Sequence, residues 1–345
     1  DRDADRLCRP RALSEGAEVA WHEDMRWNGF GLVAAGAGAL ALAFVDRLAR
    51  GRGRLRGKTA VVCGASRGLG LEVARELVRR GCRVAICART PDDVDEACVE
   101  LRQLAGRPGV VWGDSCDLRA IDDVELFLAN AESRLGPIDV LVANAATLTV
   151  GPIERAIPRD FDEAMDSIFV TARNAALAVL PRMQARREGS IAFVTSIGGK
   201  LGVPHLTAYS AAKFAEIGFA EALRAEVAKD HVHVLTIVPG LMRTGSFRRA
   251  FFQGDADAEL AWFGASANAP VLTIGAERAA RRIVRAIERR DEELVYTLPA
   301  RIAARTHDLV PWAFRRFLGA AGRLLPRAPS GWAPPVEGRE ILANR

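Results

Sequence analysis

The chain has 345 residues, 49% hydrophobic and 26% charged, and its 48 basic and 43 acidic side chains give a net charge of +5. That composition is enough to bury a large core and excludes a disordered or low-complexity chain. Six cysteines, at positions 8, 63, 82, 87, 98 and 116, lack Cys-x-x-Cys spacing, so the chain reads as carrying reduced thiols and no metal site.

Residues 1–26 form a polar segment with seven acids against five arginines. Residues 27–45 carry no charge over nineteen positions, a length that just spans a bilayer core of about 30 Å as a helix. A basic linker follows at 46–56, and by the positive-inside rule everything after it stays on the cytoplasmic side. The expectation is a membrane anchor, with a helix docked on a soluble cytoplasmic domain as the alternative. A signal peptide fits poorly, because the apolar run follows a long acidic-leaning stretch.

From residue 57 the pattern alternates. Strands are expected at 59–63, 83–88, 110–112, 139–143, 190–195, 232–238 and 293–297, and helices at 69–80, 92–104, 122–135, 160–185, 208–229 and 276–290. Such alternation predicts an α/β fold, a doubly wound parallel sheet of about seven strands with helices on both faces. The first strand runs into Gly64-Ala65-Ser66-Arg67-Gly68-Leu69-Gly70. Glycines there allow a tight turn close to a pyrophosphate, and the N–H groups of the following helix face the anion. The same stretch also matches the nucleophile elbow Gly-x-Ser-x-Gly, which would make Ser66 a hydrolase nucleophile but leaves Gly70, Arg89, Tyr209 and Lys213 without roles.

At the end of the second strand stands Ala88-Arg89, where an acid would favour NAD. Arg89 with Arg67 suits a 2′-phosphate, so NADP (NADPH) is expected over NAD. Further along, Tyr209 and Lys213 are four apart and share a helix face. An ammonium beside a phenol lowers the phenol's pKa from about 10 and suits it to general acid catalysis. Ser196 closes a strand and can hold the same substrate oxygen. His231 and His233 are too few for a structural zinc and read as strand filler.

These landmarks together resemble the short-chain dehydrogenase/reductase family over residues 57–298: the glycine turn, Asp117 after the third strand, Ala143-Asn144-Ala145-Ala146 after the fourth, Ser196 with Tyr209 and Lys213, and Pro239-Gly240 after the sixth. Cys63 replaces a usual threonine, and Ala143 and Ala146 replace the outer residues of Asn-Asn-Ala-Gly. The resemblance implies an NAD(P)-dependent oxidoreductase that interconverts a carbonyl and a secondary alcohol, with Tyr209 as acid/base. It implies catalytic Ser196, Tyr209 and Lys213. Cofactor contacts are implied at Gly64, Ser66, Arg67, Gly68, Leu69, Gly70, Arg89, Asp117, Leu118, Asn144, Ala145, Tyr209, Lys213, Pro239, Gly240 and Thr244. It also implies a homodimer through the helices 160–185 and 208–229. The family's catalytic asparagine, counted from Leu180-Pro181-Arg182-Met183, falls on Ile168, which cannot hydrogen-bond. A low-turnover nucleotide-binding protein is therefore the alternative. Ser167 would substitute only if the helix shifts, and Asn174 lies about 240° around the helix.

Residues 241–270 break the alternation and are expected to cover the substrate, with Phe247, Phe251, Phe252, Trp262 and Phe263 lining a pocket or packing on the core. A lipophilic alcohol or ketone is the expected partner. In the extension 299–345, Val310, Phe314, Phe317, Leu318, Ala321, Leu324 and Leu325 recur at helical spacing opposite Arg315, Arg316 and Arg323, a basic amphipathic helix suited to a membrane surface or to packing on the domain. No nucleic-acid motif is present.

Overall fold

The computed structural model describes residues 53–243, 245–269, 273–328 and 334–344. The polar segment 1–26, the apolar segment 27–45, most of the basic linker and Thr244 lie outside the described residues. Among the described residues, no helix is long and apolar enough to cross a membrane.

Seven parallel strands form the sheet: β1 (Thr59–Cys63), β2 (Arg83–Ala88), β3 (Val111–Ser115), β4 (Ile138–Ala143), β6 (Gly189–Val194), β7 (Val232–Pro239) and β11 (Glu293–Tyr296). Their spatial order is β11-β7-β6-β4-β1-β2-β3. Every residue of β1, β4's neighbour, is buried, as expected for a strand covered on both faces. The order reverses between β1 and β4, so a crevice opens beyond the carboxyl ends of those two strands. β3 runs to Ser115 and not to residue 112, because it is the sheet edge: its last two residues are exposed and need no apolar side chains.

Helices α1 (Gly68–Arg79), α2 (Pro91–Ala105) and α8 (Ala276–Arg289) accompany one face, and α3 (Ile121–Leu135), α5 (Thr171–Arg186) and α6 (Thr207–Val227) the other. The sorting follows from burial period. α8 buries Ala279, Ala280, Ile283, Val284 and Ile287 at spacings of three and four, and so presents one apolar stripe to the core. α2 starts at Pro91 and stops at Gly106, whose φ of 60° is the left-handed cap that glycine accepts.

The helix expected at 160–185 is three pieces: α4 (Pro158–Ala164), a π-helix (Met165–Val170) and α5. The 241–270 segment contributes α7 (Ala256–Asn268) and two short strands, β8 (Met242–Arg243), which pairs with β10 (Ile274–Gly275), and β9 (Phe251–Phe252). After the sheet come α9 (Leu298–Leu309), for which no helix was expected, and α10 (Pro311–Gly322). The chain then returns as β12 (Val336–Glu337), antiparallel to β9, which itself runs parallel to β5 (Thr149–Val150), and ends in α11 (Gly338–Ala343). A small separate core of Val150, Leu206, Phe252, Leu260, Phe263 and Ile341 fills this corner.

Candidate active site

A cleft of about 900 Å³ runs along the carboxyl ends of the central strands. At one end lies the glycine turn. Gly64 has φ +68°, and a Cβ there would sit 2.8 Å from the Ala145 backbone. Gly70 is tighter still, since a Cβ would fall 2.3 Å from the Gly64 carbonyl and 2.6 Å from Asn144 Nδ2. The Asn144 amide donates to the Gly64 carbonyl at 2.9 Å and ties the turn after β4 to the turn after β1. The amino end of α1 therefore opens on the cleft with a backbone that side chains cannot crowd, the cradle a pyrophosphate requires.

Gly64, Ser66, Arg67, Gly68, Leu69, Arg89, Asp117, Leu118, Asn144, Ala145, Ser196, Tyr209, Lys213, Pro239 and Gly240 all line this one cleft. Gly70 packs behind the turn. Arg67 bonds Asp93 at 2.7 Å, and burial together with the Arg249 charge pushes its guanidinium below the usual value. Arg119, clamped on Asp117, holds that carboxyl below the usual carboxylate range.

At the other end, Tyr209 and Lys213 stand on the inward face of α6 and Ser196 follows β6. The backbone N–H of Gly198 donates to Ser196 Oγ at 3.1 Å. A Cβ on Gly198 would lie 3.3 Å from Tyr209 Cε1 and 3.5 Å from Ser196 Oγ, so both side chains converge on the space glycine leaves. The Lys213 ammonium sits 5.9 Å from the Tyr209 ring centroid and donates to the Val194 carbonyl at 2.9 Å and to Glu216 Oε2 at 2.8 Å. Burial acts to lower the Lys213 pKa and Glu216 overrides it, leaving it above the ordinary lysine value.

The structure changes the reading of Ile168. It is fully buried and does not line the cleft, whereas Ser167 does. Both lie in the π-helix, whose wider i→i+5 turns carry an extra residue and so rotate the face shown to the cleft relative to an α-helix. The Ser167 hydroxyl is buried without a partner among the described residues. The π-helix is the kind of shift on which the expected substitution of Ser167 for Ile168 depends. Asn174 is occupied elsewhere, donating to the Leu118 and Arg119 carbonyls at 3.1 and 3.0 Å, where it braces the turn after β3.

Of the five aromatics expected near the substrate, Phe251, Trp262 and Phe263 line the cleft, while Phe247 and Phe252 belong to the small core. Sequence reading missed Glu337 and Arg339, which reach the cleft from β12 and α11 and bond each other at 2.8 Å. Nothing local marks two residues so far along the chain as part of the site. No histidine lines the cleft among the described residues, so Ser66 has no base beside it for the hydrolase reading. His233 instead bonds Ser190 at 3.1 Å, and burial takes its pKa down to about 4. Cys63, Cys82, Cys87, Cys98 and Cys116 are free and buried, and Cys8 lies outside the described residues.

Comparison with known proteins agrees with this geometry. The short chain dehydrogenase family profile matches residues 58–253. A Bos taurus protein, dehydrogenase/reductase SDR family member 4, is 34% identical over 60% of this chain and 74% of its own length. A fatty acyl-CoA reductase of Acinetobacter baylyi is 28% identical over 75% of this chain and 82% of its own. Among solved structures, a variant of the actinorhodin polyketide ketoreductase with NADPH superposes with a TM-score of 0.59 at 28% identity, covering 69% of this chain and 95% of that one. A seven-stranded parallel sheet, a glycine turn beneath it and a family match over more than half of the chain lead to one conclusion: the protein belongs to the short-chain dehydrogenase/reductase family and is an oxidoreductase of the NAD(P)-binding kind.

Proposed function

We propose that the protein is an NADPH-preferring reductase of lipophilic ketones, with Tyr209 as the proton donor. The observation that carries this reading is the convergence of the glycine turn, Arg67 and Arg89 with Ser196, Tyr209 and Lys213 on one cleft. When bound, the reduced nicotinamide supplies the hydride. The chain's own residues do the rest. Ser196 and Tyr209 hold the substrate oxygen, and Tyr209 gives it a proton as the alkoxide forms. Lys213 favours the phenolate that is left. Gly64, Ser66, Gly68 and Leu69 accommodate the pyrophosphate, with Gly70 allowing the turn to pack behind them, Asp117 and Leu118 the adenine, and Asn144, Ala145, Pro239 and Gly240 the nicotinamide half.

Arg67 and Arg89 supply the charge for a 2′-phosphate, and Arg89 is exposed at the rim with no acid of its own strand beside it. Leu206, Phe251, Trp262 and Phe263 favour an apolar substrate body, in keeping with the acyl substrate named for the Acinetobacter relative. Attachment to an anionic membrane surface from the cytoplasmic side is supported by α9 and α10, where Leu298, Ile302, Leu309, Trp312 and Phe317 are exposed, as is Leu324 just beyond, among Arg301, Arg305, Arg315, Arg316 and Arg323. A homodimer through α5 and α6 is supported by exposed Leu177 and Phe214 on those helices.

Purified protein with NADPH, screened against lipophilic ketones by nicotinamide absorbance, will show turnover, and Tyr209→Phe will lower it by about 10³-fold with NADPH affinity kept. Substantial turnover by that variant overturns the assignment. The full chain is expected to sediment with membranes and resist salt, and the chain without residues 1–56 to leave them. Extraction of the intact chain by salt alone would assign attachment to the α9–α10 surface, because ions screen such contacts. Recovery of the intact chain in the soluble fraction without salt sinks the membrane reading.

A further inference from the structure

Lys213 has a partner that the reaction does not use. Glu216 lies one turn further along α6, its side chain and that of Lys213 both 2% exposed, with Nζ and Oε2 2.8 Å apart. A carboxylate buried on the inward face of a helix costs several kcal/mol unless something repays its lost hydration. The ammonium carries three N–H donors. One goes to the Val194 carbonyl and one to Glu216, and the third is left for the cleft that Lys213 lines.

We infer that Glu216 is a positioning residue that holds the Lys213 ammonium charged and aimed inside a dry site, so that it can act on Tyr209. This rests on the proposed roles of Tyr209 and Lys213. A fully buried amine without a counter-ion gives up its proton near neutral pH. With Glu216 in contact, the proton stays on Lys213, since an amine is a stronger base than a carboxylate by about six units.

The surroundings leave this pair to itself. Among the described residues, the charged and titratable groups that act on Lys213 are Glu216 and Tyr209, and the one that acts on Glu216 is Lys213. Lys200, beyond the short 3₁₀ turn after Ser196, is taken by Glu221 and Glu293. Arg224 on α6 bonds the Val234 carbonyl and Thr236 on β7. Asp166, on the π-helix packed against α6, acts on Arg119.

The test is the pH dependence of kcat/KM for ketone reduction by NADPH in the full chain, for wild type, Glu216→Gln and Glu216→Asp. In Glu216→Gln the amine loses its counter-ion, its pKa falls, and the charged form is lost earlier as pH rises. The alkaline limb should therefore move to lower pH by about one unit or more, with the rate recovering on the acid side to within about threefold of wild type. Glu216→Asp keeps the charge at a longer reach, and its limb should move in the same direction by less. A uniform loss with an unmoved limb means that Glu216 only packs, and overturns the inference. If the glutamine variant fails to fold, the aspartate variant decides alone, and an unmoved limb there overturns it equally. The underlying reading is tested separately, by Tyr209→Phe, whose inactivity does not depend on Glu216.

Discussion

The nucleotide side of the cleft hangs on residues one to seven positions beyond the ends of long buried strands, whereas the substrate side is walled by three two-residue strands drawn from Thr149–Val150, Phe251–Phe252 and Val336–Glu337. In the first arrangement most residues inherit their place from β1, β2, β4 and β7, each paired on both sides, while Asp117 and Leu118 follow the edge strand β3. The second is assembled from distant pieces, and its core is small, with Phe252 and Val150 fully buried at its centre. If cofactor binding and substrate choice divide along the same line, substitutions on the two sides should separate them.

The largest effect is expected on the nucleotide side. Arg89→Glu should swing preference from NADPH toward NADH by about 10–100-fold, because the 2′-phosphate loses a charge-assisted bond and meets a like charge. Side-by-side kcat/KM with the two cofactors measures it, and a wild type that already prefers NADH breaks the reading of the second strand. On the substrate side, a Cβ at Gly338 would fall 2.6 Å from the Phe247 carbonyl and 3.0 Å from Phe252. Gly338→Val should push β12 off β9 and raise KM for a lipophilic ketone about tenfold while NADPH affinity changes less than twofold. Equal losses in both would show that the two walls are one mechanical unit.

The smallest effect is expected where the walls meet. Ser167→Ala removes a buried hydroxyl with no partner among the described residues, on a residue that lines the cleft, and should lower kcat about two- to fivefold where that hydroxyl gains one hydrogen bond in turnover. It should also change the solvent deuterium isotope effect, if that hydroxyl helps return protons toward Lys213. An unchanged rate and isotope effect would remove Ser167 from the reaction. Ile168→Asn, attractive from register alone, would instead bury an amide in the core, since Ile168 is fully enclosed.

The legibility of the two sides in the sequence differs for the same reason. Gly64, Gly68 and Gly70 are forced by turn geometry, and Tyr209 with Lys213 by helical spacing, so local rules reach them. Glu216 was also within reach of local rules, as an acid at i+3 from a lysine, but its burial is a tertiary fact. Ser167 was legible only as a conditional substitute, because a count of about 3.6 residues per turn lands on Ile168 and the π-helix that shifts the face by one residue is not written in local periodicity. Glu337 and Arg339 were hidden because β12, just before Arg339, pairs with Phe251 and Phe252 more than eighty residues earlier, and two-residue strands leave no periodicity to read. The α9 helix was missed for a plainer reason: its exposed Leu298, Ile302 and Leu309 blur the amphipathic stripe.

The late return of β12 has a consequence for synthesis. All seven strands of the large sheet are encoded before residue 297, but the wall that pairs with β9 is encoded some forty residues later. At translation rates of about 5–20 residues per second, roughly two to eight seconds separate the two events. In that interval a nascent chain owns a complete cradle for its nucleotide and an open flank where Phe252 will later be covered. Early capture of the nucleotide would stabilise the growing domain by mass action before the flank over Phe252 is closed.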